Sequence, residues 1–284
     1  MRAPWRERNG SFSWYRAAFL LAVCAPGIAT AVQYYAGFFP VRPITEIIHA
    51  TGLWTIRLLM ISLAVTPFRQ SFRWARLVTV RRMIGVAAFS YAVLHITFYA
   101  ADNMFDLPKV VSEIALRIYL TIGFAALLIL GALALTSTDG MVKRLGGKAW
   151  QRLHRWIYLA GVLACIHYFM QSKLNVSEPL VVAGLFLWMM MYRLVFWLGS
   201  SARAAALPTL AGLGVAASLA TGFGEAAYYH FRTNAPFLRV LEANLNFHAG
   251  SRPAWVVLGI TMAIVLVAAL RQWQHGRQAT LASA

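Results

Sequence analysis

Two histidines stand where a polar ring is least expected. His95 sits in the run Ala92-Val93-Leu94-His95-Ile96, and His167 closes the run Leu163-Ala164-Cys165-Ile166-His167. An ionisable ring at membrane depth is costly and marks a functional site by default. Taken singly, each could instead be interhelical glue, hydrogen-bonded to a Ser or Thr of a neighbouring helix. Depth separates the two readings. His95 lies 13 residues beyond Arg82, and His167 lies 12 residues beyond Arg155. Both helices run outward from a basic inner boundary, so at about 1.5 Å per residue both rings sit roughly 18–20 Å from it. Two imidazoles at matched depth on nearby helices can clamp one haem iron from both sides. Such a bis-histidine site saturates the iron and suits electron transfer rather than oxygen binding. The neutral ring nitrogen is also a good iron ligand.

His154 lies 13 residues before His167 on the same stretch. On an ideal helix that is about 20 Å along the axis and about 140° around it, so the two need not address one cofactor. His154 could hold a second, inner-side haem, contact a flavin or a quinone, or be an interfacial histidine at a helix start. At its level the third span offers Arg81 and Arg82 rather than a histidine. The inner loops gather Arg76, Arg81, Arg82, Lys143, Arg144, Lys148 and Arg152. They could receive haem propionates, a flavin phosphate or anionic lipid, although topogenic charge accounts for most of them. The candidate site is therefore His95 and His167 as iron ligands, with His154 as a candidate for a second, inner-side site and Arg81, Arg82 and Arg152 near it as candidate partners for anionic groups. Arg57, inside a span, can snorkel or pair with a propionate. His49, His230, His248 and His275 read as surface or interfacial residues. Cys24 and Cys165 both fall in apolar runs and supply neither a disulfide framework nor an iron–sulfur or zinc site.

These side chains need elements to hold them, and the composition says which. The chain has 284 residues, 60% hydrophobic and 12% charged, where a soluble domain is nearer 45–50% and about 25%. The charges fall between apolar runs of about 20 residues, the length a helix needs to cross a hydrocarbon core of roughly 30 Å. Eight spans are expected, at 17–38, 45–67, 84–101, 118–136, 155–172, 179–198, 206–228 and 254–270. The fold class is an all-α polytopic membrane protein, a bundle of about eight transmembrane helices with no sizeable soluble catalytic domain. The net charge of +17 does not point to nucleic acid, because the basic residues occupy short loops between spans. Placing the N-terminus inside assigns 18 of the 26 Lys and Arg to inner segments and 7 to outer ones, with Arg57 in a span. That bias sets orientation and predicts both termini in the cytoplasm. The first apolar run continues to Phe39 and reads as an uncleaved span rather than a removed signal.

Three segments follow. Residues 1–44 form an inner segment and first span. Residues 45–198 form the histidine-bearing core, completing six helices. Residues 199–284 form a two-span extension after the break Gly199-Ser200-Ser201, with a long outer loop at 230–253. No internal repeat is visible.

The motifs together are specific. Arg81-Arg82-Met83-Ile84-Gly85, the run Tyr91-Ala92-Val93-Leu94-His95, Thr136-Ser137-Thr138, Arg144-Leu145-Gly146, Trp150, and Leu153-His154-Arg155-Trp156-Ile157-Tyr158-Leu159 through His167-Tyr168 resemble the MsrQ (YedZ) family. These are the haem-binding membrane subunits of bacterial periplasmic methionine sulfoxide reductase systems, within the ferric-reductase-like transmembrane proteins. The resemblance covers roughly 45–198. It implies b-type haem, one or two per chain, and FMN in a protein of the bacterial inner membrane. It implies electrons from the quinone pool or a cytosolic flavin reductase. These pass outward to a periplasmic molybdopterin subunit, MsrP, which reduces methionine sulfoxide in oxidised envelope proteins. The family's haem histidines fall on His95, His154 and His167. One departure is Arg117-Ile118-Tyr119, where members usually show an Arg-Pro-Tyr-like start to the fourth span.

Three functions compete on these residues. The first is an electron-transfer subunit without substrate chemistry of its own, relaying single electrons from an inner flavin through haem to a partner at the 102–117 face. The second is a ferric-reductase-type oxidoreductase acting directly on an outer acceptor. Those relatives usually carry a soluble flavin and nicotinamide domain. With about 14 residues after the last expected span, a nucleotide reductant is expected to act through another protein. The third, a transporter or assembly factor, predicts colourless protein. The first is the expectation.

Overall fold

The structure is a computed structural model that describes residues 5–6, 10–173, 175–246 and 250–283. Arg2, Arg8 and His248 lie outside the described residues. All named elements among the described residues are helices. The long ones are α1 (Trp14–Tyr35), α2 (Pro43–Ser71), α3 (Val78–Asp102), α5 (Ile118–Leu135), α9 (Ser177–Leu198), α11 (Leu207–Thr233) and α13 (Pro253–Ser283). The short ones are α4 (Leu107–Leu116), α6 (Asp139–Leu145), α7 (Gly147–His154), α8 (Ile157–Gln171), α10 (Ser201–Ala205) and α12 (Phe237–Ala243). Among the described residues seven helices are long and apolar enough to cross a membrane, and the chain is a multi-pass membrane protein.

The expected fifth span is the exception in length. It is α8, with 15 residues, about 22 Å at 1.5 Å per residue. The expected start at 155 falls in a break. Arg155 and Trp156 donate to Arg152 and Leu153, three residues back, the tighter pattern that ends a helix. The chain reads Arg152-Leu153-His154-Arg155-Trp156 there, and its basic side chains favour water or headgroups over lipid.

The chain divides into two compact units, Met1–Ser62 with Val78–Met170, and Leu63–Leu77 with Gln171–Ala284. In the first, α1 packs on α3 and α3 on α5. Pro26 interrupts α1, and the Tyr91 hydroxyl of α3 fills the ladder beside it. It accepts from Gly27 N at 2.7 Å and donates to Val23 O at 3.0 Å. A side chain inserted into the i→i−4 ladder next to a proline is a recognised cause of a helix kink. Gly27 makes room for it, since a Cβ there would lie 2.9 Å from the hydroxyl. The Thr138 hydroxyl caps α6 through Met141 N, and Gly146, at φ 74°, joins α6 to α7.

In the second unit, α9, α11 and α13 pack on one another. Their contacts are small residues: Gly184 faces Thr221 and Val257, and Gly214 faces Thr261. Small residues let membrane helices approach closely. Two polar devices lie inside this unit. Pro67 in α2 has no N–H, so it cannot donate to the carbonyl of Leu63. Arg193 of α9 fills that place, donating to Leu63 O at 2.6 Å and to Met189 O at 2.9 Å. Glu225 of α11 is 1% exposed and accepts from Arg252 at 3.2 Å.

Candidate functional site

His95 is carried by α3 and held by α2. Its Nδ1 lies 2.8 Å from the carbonyl of Ile48. A carbonyl only accepts, so Nδ1 carries the proton, and in the neutral ring the free lone pair is on Nε2. The Nδ1–Cε1 edge of the ring lies against Gly52, where a Cβ would come within 2.9 Å of Nδ1 and 3.0 Å of Cε1. His167 is carried by α8 and held by α5 in the same way. Its Nδ1 lies 2.8 Å from the carbonyl of Tyr119. A Cβ on Gly123 would come within 2.7 Å of Nδ1 and 2.8 Å of Cε1. Each histidine thus has its Nδ1–H spent on a backbone carbonyl and its Nε2 left bare. This is the arrangement that orients metal-ligating histidines and raises their basicity.

The two rings are close neighbours in a T-shaped arrangement. Their centroids are 6.3 Å apart and their planes 84° apart. Two metal–imidazole bonds of about 2 Å each, with about 1 Å from each nitrogen to its ring centre, place two coaxial rings about 6 Å apart. The separation fits a single metal ion between them. Among the described residues no group of three or more His, Cys, Asp or Glu side chains could hold a metal. Two imidazoles supply only two ligands, so the donor set would fit an ion whose remaining ligands come from a macrocycle.

His154 has different surroundings. Its Nε2 lies 3.3 Å from the Thr136 hydroxyl. That hydroxyl gives its own proton to Ala132 O at 2.7 Å, so it accepts, and His154 donates. Trp150 stacks on the ring at 3.8 Å and 27°, and its indole N–H donates to Thr136 O at 2.9 Å. Burial, and then the positive charges of Arg81 and Arg82, hold the His154 imidazole below its ordinary value. Arg82 pairs with Asp139 at an exposed position, a contact of about 0–1 kcal/mol. Arg152 is exposed at the end of α7. Arg57 lies 5.1 Å over the Trp54 ring.

Of the expected site residues, His95 and His167 are brought together. His154, Arg81 and Arg82 form a separate cluster with Trp150 and Thr136. The sequence reading passes over Ile48, Gly52, Tyr119 and Gly123, and it does not pair His154 with Thr136 or Arg82 with Asp139. A glycine inside an apolar helical run costs about 1 kcal/mol against alanine, and that was the available signal. It marks a close approach without naming the partner.

Comparison with known proteins places these residues in a family context. Residues 51–165 match the family described as "Ferric reductase like transmembrane component". A protein of Rhodospirillum rubrum named "Protein-methionine-sulfoxide reductase heme-binding subunit MsrQ" is 40% identical over 191 residues, 67% of this chain and 89% of the relative. Proteins of the same name from Herminiimonas arsenicoxydans and Caulobacter vibrioides are 41% and 37% identical. The first match covers 55% of this chain and 72% of the relative, the second 61% and 83%. No solved structure matches.

Proposed function

The chain belongs to the MsrQ family of haem-binding membrane subunits, and from that premise we propose that it is the electron-transfer subunit of a methionine sulfoxide reductase system, holding b-type haem between His95 and His167. One observation carries the reading: two neighbouring imidazoles, 6.3 Å apart, each with its Nδ1–H committed to a carbonyl. Haem held there supplies a one-electron carrier inside the bilayer. The chain's own residues do the rest. His95 and His167 would hold the group through their Nε2 atoms, and it would supply electron transfer rather than substrate binding. Ile48 and Tyr119 orient the two rings through their carbonyls.

The finer parts of the proposal concern direction and partners. Both termini lie in the cytoplasm, and the protein sits in the bacterial inner membrane, supported by the charge bias between loops. Electrons arrive on the side of His154 from the quinone pool or from a cytosolic flavin reductase, with FMN near Arg81, Arg82 and Arg152. The support for that side is the family resemblance and the positive charge gathered there, which suits a phosphate-bearing group. His154 serves this donor side, and its alternative role is ligation of a second haem. The acceptor is the periplasmic molybdopterin subunit MsrP, meeting the face of residues 102–117. Electron-transfer contacts are often small and transient.

The test is spectroscopic. Purified protein is compared in oxidised and dithionite-reduced form for the wild type, His95→Ala and His167→Ala. The expected result is a low-spin b-haem spectrum that either substitution largely removes. A colourless wild type, or unchanged haem in both variants, sinks the assignment.

A further inference from the structure

The two halves of the histidine site are built on one plan, and the plan includes two glycines. In an α-helix each Cα–Cβ bond tilts toward the N-terminus, so the side chain of residue i+4 covers the carbonyl of residue i. Gly52 is four residues after Ile48, and Gly123 is four residues after Tyr119. At both places the missing side chain uncovers the very carbonyl that the histidine reaches. Ile48 O still accepts from the Thr51 hydroxyl at 3.0 Å, and a carbonyl has lone pairs for more than one donor. Glycine is otherwise the poorer choice in a helix interior than alanine. The clearances are tighter than ordinary contact on both rings, 2.9 Å and 2.7 Å from a Cβ to Nδ1. The ring that a Cβ would meet is the one held on that carbonyl by its Nδ1–H, so relief of the clash comes at the expense of that hydrogen bond.

We propose that Gly52 and Gly123 are positioning residues for the haem ligands, acting by opening the carbonyls of Ile48 and Tyr119 to His95 and His167. This rests on the bis-histidine reading of the site and adds a cause for its geometry. The opened carbonyls fix the Nδ1–H tautomer and make each ring a stronger electron donor to iron, which favours the oxidised metal. A methyl group at either glycine pushes the ring off its carbonyl and weakens that donation.

The experiment uses Gly52→Ala, Gly123→Ala and the control Gly85→Ala, whose Cβ meets Ser62 Oγ at an ordinary 3.5 Å. Haem content, the low-spin resonance signal and the midpoint potential are recorded for each. The expected result is a loss of low-spin signal and a more positive potential in Gly52→Ala and Gly123→Ala, with Gly85→Ala like the wild type. A second measurement does not depend on those variants folding. In His95→Gly and His167→Gly, free imidazole should restore the six-coordinate spectrum at concentrations about tenfold or more below those of 1-methylimidazole, which lacks the N–H and carries a methyl in its place. Wild-type spectra and potentials in both alanine variants, or equal restoration by the two imidazoles, overturn the proposal. Absence of haem from the wild type overturns the parent reading instead, so the two failures are distinguishable.

Discussion

Arg193→Met should destabilise the second unit, and Pro67→Ala should repair part of the damage. Arg193 gives charge-assisted hydrogen bonds to Leu63 O and Met189 O at 2.6 and 2.9 Å. Hydrogen bonds to charged groups contribute about 1.5–3 kcal/mol each. Desolvation of the guanidinium offsets part of that sum. The Leu63 carbonyl is then stranded, because Pro67 cannot donate to it and Leu63 is 1% exposed. A net loss of about 2–4 kcal/mol is expected. Pro67→Ala restores an N–H four residues after Leu63. With Met at 193 that N–H meets an orphaned carbonyl and recovers about 1–3 kcal/mol. With Arg at 193 it meets a carbonyl already bonded, and recovers less. The helix-propensity gain and the lost ring volume of Pro67→Ala occur in both backgrounds and cancel in the double-mutant cycle. The coupling expected is therefore about 1–2 kcal/mol. The assay is reversible unfolding in mixed detergent micelles, followed by far-UV circular dichroism, for the four proteins of the cycle. Additivity within about 0.5 kcal/mol refutes the idea that Arg193 stands in for the donor that Pro67 lacks.

Other predictions follow the same reasoning. Tyr91→Phe should cost about 1–3 kcal/mol, because it removes the hydroxyl that serves both Gly27 N and Val23 O. Gly27→Ala should then cost little more in that background, and full additivity in the same unfolding assay contradicts the inserted-hydroxyl account. Arg252→Ala should cost about 3–5 kcal/mol by leaving the buried Glu225 carboxyl without its partner. Glu225→Gln should cost less, because Arg252 is one-third exposed and reaches water; the reverse ranking in thermal unfolding refutes this. For His154, the folded imidazole lies below 6.5, so between its folded value and 6.5 the unfolded chain binds more protons. The stabilisation is full above 6.5 and is lost as pH falls through the folded value. The wild type should lose stability relative to His154→Gln between pH 7 and pH 5, and parallel profiles would show that the ring's surroundings do not matter.

The spans and the histidine pair were legible because they depend on local properties. Apolar run length is set by bilayer thickness, and the matched depth of His95 and His167 follows from counting residues from Arg82 and Arg155. The rest depends on what one helix lays against another. Nothing local to Gly52 says that a ring from 43 residues away rests on it, and nothing local to Pro67 names Arg193. Likewise Glu225 reads as one acidic residue in an apolar run until Arg252 is found beside it. The shortness of α8 was hidden for another reason. The run 155–172 is apolar enough to suggest a span from its first residue, but the break at Arg155–Trp156 is a backbone event, visible only in its hydrogen bonds. Trp150 and Thr136 stand in the sequence as parts of a pattern, and their contact with His154 emerges only from the fold.

The two half-sites are completed at different times. Ile48 and His95 lie on α2 and α3, which leave the ribosome first, while Tyr119 and His167 wait for α5 and α8. At roughly 5–20 residues per second, the interval between synthesis of Ile48 and of His167 is on the order of ten seconds. During that interval a nascent chain can offer this site only one of its two imidazoles. Under the proposed reading, a six-coordinate spectrum therefore reports more than cofactor content. It certifies that the chain has been inserted as far as α8, and a chain stalled or cut before Ile157 is recognisable by its single-ligand colour.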